Sequence, residues 1–102
     1  MRQVHHFIAG THEAGSDTRT GDIFDPGTGQ VQAQVCLGAP ADLDQAVQAA
    51  LAAQPDWASA SPQLRHDVLE RAGALIVERK DELGRLLARE EGKTRAEGVG
   101  EV

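Results

Sequence analysis

The sequence predicts a β-hairpin region over residues 1–38 followed by an antiparallel helical region over residues 39–102. Three observations lead there: a strand-like alternation behind a Pro/Gly turn, a switch to helical spacing at Pro40, and strands grouped ahead of helices without a parallel βαβ unit.

The elements follow in chain order. Phe7-Ile8-Ala9, ending at Gly10, reads as a short strand. Asp25-Pro26-Gly27-Thr28-Gly29 holds a proline that presets φ and two glycines that accept positive φ, so the chain is expected to reverse there. Thr20 to Phe24 then forms one arm of a hairpin and Gln30 to Leu37 the other. In the second arm the apolar residues Val31, Ala33, Val35 and Leu37 alternate and are expected to face inward, leaving Cys36 on the more polar face.

From Pro40, Leu43, Ala46, Val47, Ala50 and Leu51 fall on one helical stripe, which Pro55 is expected to end. Asp56 to Ala60, with the single tryptophan Trp57, then reads as a connection. Ser61-Pro62 is an N-cap and N1 pair opening a helix striped by Leu64, Val68, Leu69, Ala72, Leu75 and Ile76, with Asp67 placed to pair with Arg71. A third helix carrying Leu83, Leu86 and Leu87 is expected to start at an Asp81 cap and to break at Gly92. Thr94 to Val102 could restart a helix, at a cost of roughly 1 kcal/mol for each of Gly98 and Gly100. A strand-then-helix order of this kind looks like the opening of something longer.

Composition narrows the function classes. The 102 residues suit one domain, but the 40% hydrophobic content is largely alanine and the only aromatic residues are Phe7, Phe24 and Trp57. A core so poor in aromatics predicts a larger body to lean against. The formal charge of −6, with bases interleaved among acids, argues against nucleic acid. One cysteine excludes an internal disulfide and fits a reducing compartment. No apolar run approaches the ~20 residues of a membrane span and the start has no apolar leader core, so a cytoplasmic location is expected.

Few residues offer chemistry. Gly27-Thr28-Gly29 and Gly98-Val99-Gly100 lack the third glycine of a dinucleotide fingerprint. Cys36 has no evident general base. His5, His6, His12 and His66 read as surface histidines, since their spacing does not assemble a structural zinc site. Glu90-Glu91 beside Lys93 reads either as a solvated helix end or as a carboxylate that holds a hard cation at a glycine turn.

Taken together, these segments resemble the aldehyde dehydrogenase superfamily. Phe7-Ile8-Ala9-Gly10 is similar to its "FIxG" opening, and Asp25 to Val31 to its "NPxTGEV" hairpin, with Asp25 and Gln30 in place of asparagine and glutamate. Asp42 to Val47 followed by Pro55-Asp56-Trp57 resembles "DVDxAVxAAxxAFPxW", while Arg79 to Leu83 and Glu90 to Thr94 match "ERxDEL" and "ExGKT". The ending, Arg89 to Thr94 and Glu97 to Val102, resembles α-ketoglutarate semialdehyde dehydrogenases. The "HFIxG" and "DPxTGxVQAxV" portions look instead like methylmalonate semialdehyde dehydrogenases.

The resemblance implies an α/β parent enzyme of which this chain is the N-terminal segment of the NAD(P)-binding domain. It implies oxidation of an aldehyde by cysteine attack, hydride transfer to NAD or NADP, and release of the acid by glutamate-activated water. The family's catalytic and cofactor-binding residues would lie beyond residue 102, so none is assigned here and the segment alone is expected to be inactive and not to hold the cofactor. One motif position carries over: Glu90, with the backbone carbonyls of Ile23 and Phe24, resembles a monovalent-cation site of some members. The implied partner is the remainder of a dehydrogenase chain, assembled as a homodimer or homotetramer. A self-standing, non-catalytic helical interaction module is the alternative.

Overall fold

A computed structural model describes residues 1–102. The elements run β1 (Arg2–Val4), β2 (His6–Ile8), β3 (Thr11–Glu13), β4 (Thr20–Phe24), β5 (Val31–Cys36), α1 (Pro40–Ser59), α2 (Pro62–Glu78), α3 (Lys80–Glu91) and α4 (Arg95–Glu101). They fall into two units, one of Met1–Phe24 with Val31–Ser59 and one of Asp25–Gln30 with Ala60–Val102.

In the first unit β4 and β5 pair antiparallel, Thr20 opposite Cys36 and Ile23 opposite Ala33, as the turn and alternation predict. Two further pairings were not legible. β1 adds to the far side of β5 in parallel, Arg2 opposite Ala33 and Val4 opposite Val35, giving the order β1-β5-β4. The strand expected at Phe7 is half of a second hairpin, β2 with β3, turned by Ala9 and Gly10 with φ of 52° and 81°. Positive φ at both central residues is the turn whose twist suits a two-residue hairpin.

The inward face of β5 differs from the alternation. Ala33 and Cys36 are the buried residues, and Leu37 is exposed. Residues three apart point to opposite faces of a strand, so β5, flanked on both edges, buries small side chains on both faces. Leu37 lies past the strand end, and Gln3 of β1 reaches over Cys36, its Oε1 accepting from Sγ at 3.9 Å.

α1 does not stop at Pro55; the proline lies inside a helix that continues to Ser59, with Trp57 on it. A proline removes one backbone bond and crowds the carbonyl of Leu51, and the alanine-rich turns before it, good helix formers, carry the helix past that defect. The start of α1 is fixed by Asp42, which is buried: Oδ2 accepts from the N–H of Ala39 and Oδ1 from that of Ser16, both at 2.8 Å. A carboxylate at the third helical position reaching back to the cap N–H is half of a capping box.

In the second unit α2 opens as predicted, with Ser61 Oγ accepting from the N–H of Leu64 at 3.1 Å. α3 begins one residue earlier than Asp81. Arg79 both closes α2 and opens α3 without a side-chain cap, its N–H donating to Leu75 and its carbonyl accepting from Leu83, so Asp81 is left inside the first turn. Asp67 does not pair with Arg71; it accepts from Nε2 of Gln63 at 2.7 Å and lies beside His66. α3 ends at Gly92, left-handed at φ 74°, as the sequence predicts.

α4 does form. Thr94 and Glu97 make a full capping box, and Gly98, expected to weaken the helix, is buried against α3. A Cβ on Gly98 would collide with the carbonyl oxygen of Gly84, and one on Gly84 would lie 2.6 Å from Cα of Val99. The two glycines let the helix backbones touch.

Apolar burial is small throughout. Ile8, Ala33 and Cys36 are the buried hydrophobic residues, and no large side chain is fully enclosed. The stripes read from the sequence are present but face solvent: Leu43 is 68% exposed on α1 and Leu69 65% on α2. Each such side chain stabilises a fold by roughly 1.5–3 kcal/mol when covered.

Candidate functional site

Glu90, the motif position to which the family resemblance gives a cation-binding role, stands in the last turn of α3, two residues before Gly92. The hairpin tip is built against that helix end. Asp25 opens the tip with an Asx turn, its Oδ1 accepting from the N–H of Gly27 at 2.7 Å and of Thr28 at 3.2 Å. The N–H of Asp25 donates to the carbonyl of Gln30, and that of Gly29 to the carbonyl of Asp25, each at 2.7 Å, with Gly29 at φ 73°. These bonds fix the loop that carries Pro26. A Cβ on Gly92 would stand 3.1 Å from Cγ of Pro26, so the ring lies directly on the glycine.

Electrostatics hold the same corner. Lys93 donates to Glu101 and to Glu91, the latter at 3.0 Å, and these hydrogen bonds, Glu101 first, raise its pKa. Glu97 accepts from the side chain and N–H of Thr94, and its carboxyl is held below the ordinary value for that reason. The corner thus carries the Glu90 carboxylate on a helix end fixed by a glycine, a capping box and a lysine bridge.

Ile23 and Phe24 lie at the end of β4. The ladder register slips between them, and the carbonyl of Phe24 accepts from the side-chain amide of Gln32 at 3.2 Å. A bulge of this kind frees main-chain groups from regular pairing. Ile23 and Phe24 belong to the first unit and Glu90 to the second.

The other candidates resolve without catalysis. The Cys36 thiol faces an amide oxygen, which cannot take up its proton. Gly27-Thr28-Gly29 is the turn itself, and Gly98-Val99-Gly100 lies inside α4. His12 meets Phe7 in a tilted ring contact, with centroids 5.0 Å apart and planes inclined by 52°. His6 is half-buried, contrary to its reading as a surface residue; Gly15 leaves room for its ring, and its Nε2 is enclosed without a hydrogen bond. Sequence reasoning also missed Asp42 and the Gly84 and Gly98 pair. The only signal for Asp42 was an acidic residue three positions after Ala39.

Comparison with known proteins bears on what this scaffold belongs to. Residues 12–102 match the aldehyde dehydrogenase family. The whole chain superposes on a protein from Sinorhizobium meliloti, complexed with NAD and described as a methylmalonate-semialdehyde dehydrogenase, at 42% identity and a TM-score of 0.96, covering 21% of that chain. It matches a succinate-semialdehyde dehydrogenase from Burkholderia pseudomallei at 32% identity and 0.87, over 99% of this chain and 20% of the other. A NAD-dependent benzaldehyde dehydrogenase from Corynebacterium glutamicum follows at 31% and 0.88, over 96% and 21%. The chain therefore spans about a fifth of the length of the structures it matches. With the hairpin tip, the glycine-terminated helix and a family match over nearly the entire length, this chain belongs to the aldehyde dehydrogenase family.

Proposed function

We propose that the chain is the N-terminal segment of an NAD(P)-dependent dehydrogenase that oxidises a semialdehyde to the carboxylic acid. The observation carrying this is the 42% identity over the full segment to a protein complexed with NAD and described as a semialdehyde dehydrogenase, with a succinate-semialdehyde dehydrogenase at 32%. α-Ketoglutarate semialdehyde, favoured by the resemblance of residues 89–102, and methylmalonate semialdehyde, favoured by the first of these neighbours, are the two substrates to test. The segment's part is scaffolding: it supplies a hairpin and helices whose apolar faces lie against the remainder of the dehydrogenase chain, in a cytoplasmic homodimer or homotetramer. By itself it neither turns over aldehyde nor holds the cofactor.

The test is an assay of NADH and NADPH formation by a full-length protein carrying this segment, with each semialdehyde, beside the isolated chain. Turnover by the former and none by the latter is expected. Turnover by the isolated chain that is abolished by Cys36→Ser overturns the scaffolding role, and a full-length protein inert toward every semialdehyde overturns the reaction.

Within the same reading, Glu90 and the carbonyls of Ile23 and Phe24 serve a monovalent cation. All three donors are oxygens, the ligand type that hard cations take, and the register slip between Ile23 and Phe24 supports the use of their carbonyls. Potassium-dependent thermal protection of the full-length protein, lost in Glu90→Gln, is the expected result; equal protection in the variant contradicts it.

A further inference from the structure

We infer that His66, Asp67 and Glu70 on α2 form a surface site for a borderline divalent cation of the zinc type. Nδ1 of His66 lies 3.2 Å from Oδ1 of Asp67 and 3.9 Å from Oε2 of Glu70, and the three atoms are within 4.8 Å of one another. Ligands held at about 2.0–2.2 Å from one ion are themselves spaced by on the order of 3–4 Å, so small side-chain rotations complete the set. His66 and Glu70 are one helical turn apart, which puts them on the same face.

Two features distinguish this cluster from an ordinary charged helix face. Neither Asp67 nor Glu70 pairs with a lysine or arginine; the imidazole is the one basic group beside both. Asp67 Oδ1 also accepts from Nε2 of Gln63 at 2.7 Å, which holds that oxygen beside the imidazole. One imidazole with two carboxylates favours zinc-like cations over calcium or magnesium, and three protein ligands leave the remaining positions to water.

At 100° per residue, Glu70 falls about 100° or more from every residue of the α2 stripe, with His66 and Asp67 each about 60° from its edges at Leu69 and Leu64, so the cluster lies on the polar face beside the stripe. The site does not depend on the reaction proposed above.

The experiment is calorimetric titration of Zn2+ into a full-length protein carrying this segment and into its His66→Ala, Glu70→Gln and Cys36→Ser variants, with folding checked by circular dichroism. One saturable site is expected, weakened at least tenfold in His66→Ala and in Glu70→Gln, unchanged in Cys36→Ser, and not occupied by Ca2+. Absence of saturable Zn2+ binding, an affinity that survives His66→Ala, or equal affinity for Ca2+ overturns the assignment.

Discussion

The ring of Pro26 sits on Gly92, so close that a methyl group on the glycine would stand 3.1 Å from Cγ and 3.2 Å from Cβ of the proline. A hairpin tip and a helix C-terminus far apart in sequence are thereby joined at one point. Gly92 is also left-handed at φ 74°, a conformation that costs an L-residue about 1–2 kcal/mol. Gly92→Ala meets both penalties, and is expected to lower the thermal midpoint of the full-length protein more than Pro26→Ala does. Equal midpoints for Gly92→Ala and wild type, by scanning calorimetry, would show that the contact is incidental.

The glycines of α3 and α4 make a sharper case, because the two nearest atoms that a side chain on Gly98 would strike, the carbonyl oxygen of Gly84 and the amide nitrogen of Ala88, are backbone. Overpacking of this kind costs roughly 1–3 kcal/mol where side chains can yield, and here only the helix itself can move. Gly98→Ala is expected to remove amide-exchange protection from Arg95–Glu101 while leaving α2 as it was. Gly100→Ala, where a Cβ meets nothing within 4 Å, should leave α4 protected; the pair of variants separates packing from helix propensity.

Asp42 sets the acid response of the first unit. The N–H groups of Ala39 and Ser16, in that order, hold its carboxyl below the ordinary value of 3.8. A group whose folded value is depressed stabilises the fold fully above the unfolded value, and that contribution fades as pH falls through the folded one. The amide resonances of Ser16 and Ala39 are therefore expected to shift together on acidification, below pH 3.8. Asp42→Asn is expected to weaken the Ser16 and Ala39 junction at neutral pH and to flatten this acid transition; an unchanged transition in the variant contradicts the assignment.

Ala9 is the single non-glycine residue with positive φ, at 52°. Asparagine tolerates that region better than alanine, so Ala9→Asn is expected to stabilise the β2–β3 hairpin by roughly 0.5–1 kcal/mol. Ala9→Val, branched at Cβ, should do the reverse. Hydrogen exchange at Ile8 and Thr11 reads both.

The legible parts of this fold are those where one local rule dominates. The tip from Asp25 to Gly29, the Ser61 cap and the Gly92 terminus each follow from the conformation that one residue type prefers, and the structure carries all three. Features set by distant partners were hidden. β1 holds one apolar residue and is ordered by its ladder with β5; Gly98 looks like a helix breaker until Gly84 is seen beneath it; Pro55 looks like a stop until the length of α1 is known. The candidate site divides in the same way. Glu90 was found through a motif, whereas the buttress behind it, Pro26 on Gly92, comes from the fold.

With their leucine stripes in water, these elements are expected to draw much of their stability from burial against further chain. Scanning calorimetry of the isolated 102-residue chain tests it most directly. A self-sufficient domain of this size absorbs about 60–80 kcal/mol in one cooperative transition; a broad transition with far less heat is expected here, because Leu43, Leu51, Leu64 and Leu69 remain in water. A sharp two-state peak of full enthalpy from the chain as a monomer would contradict it.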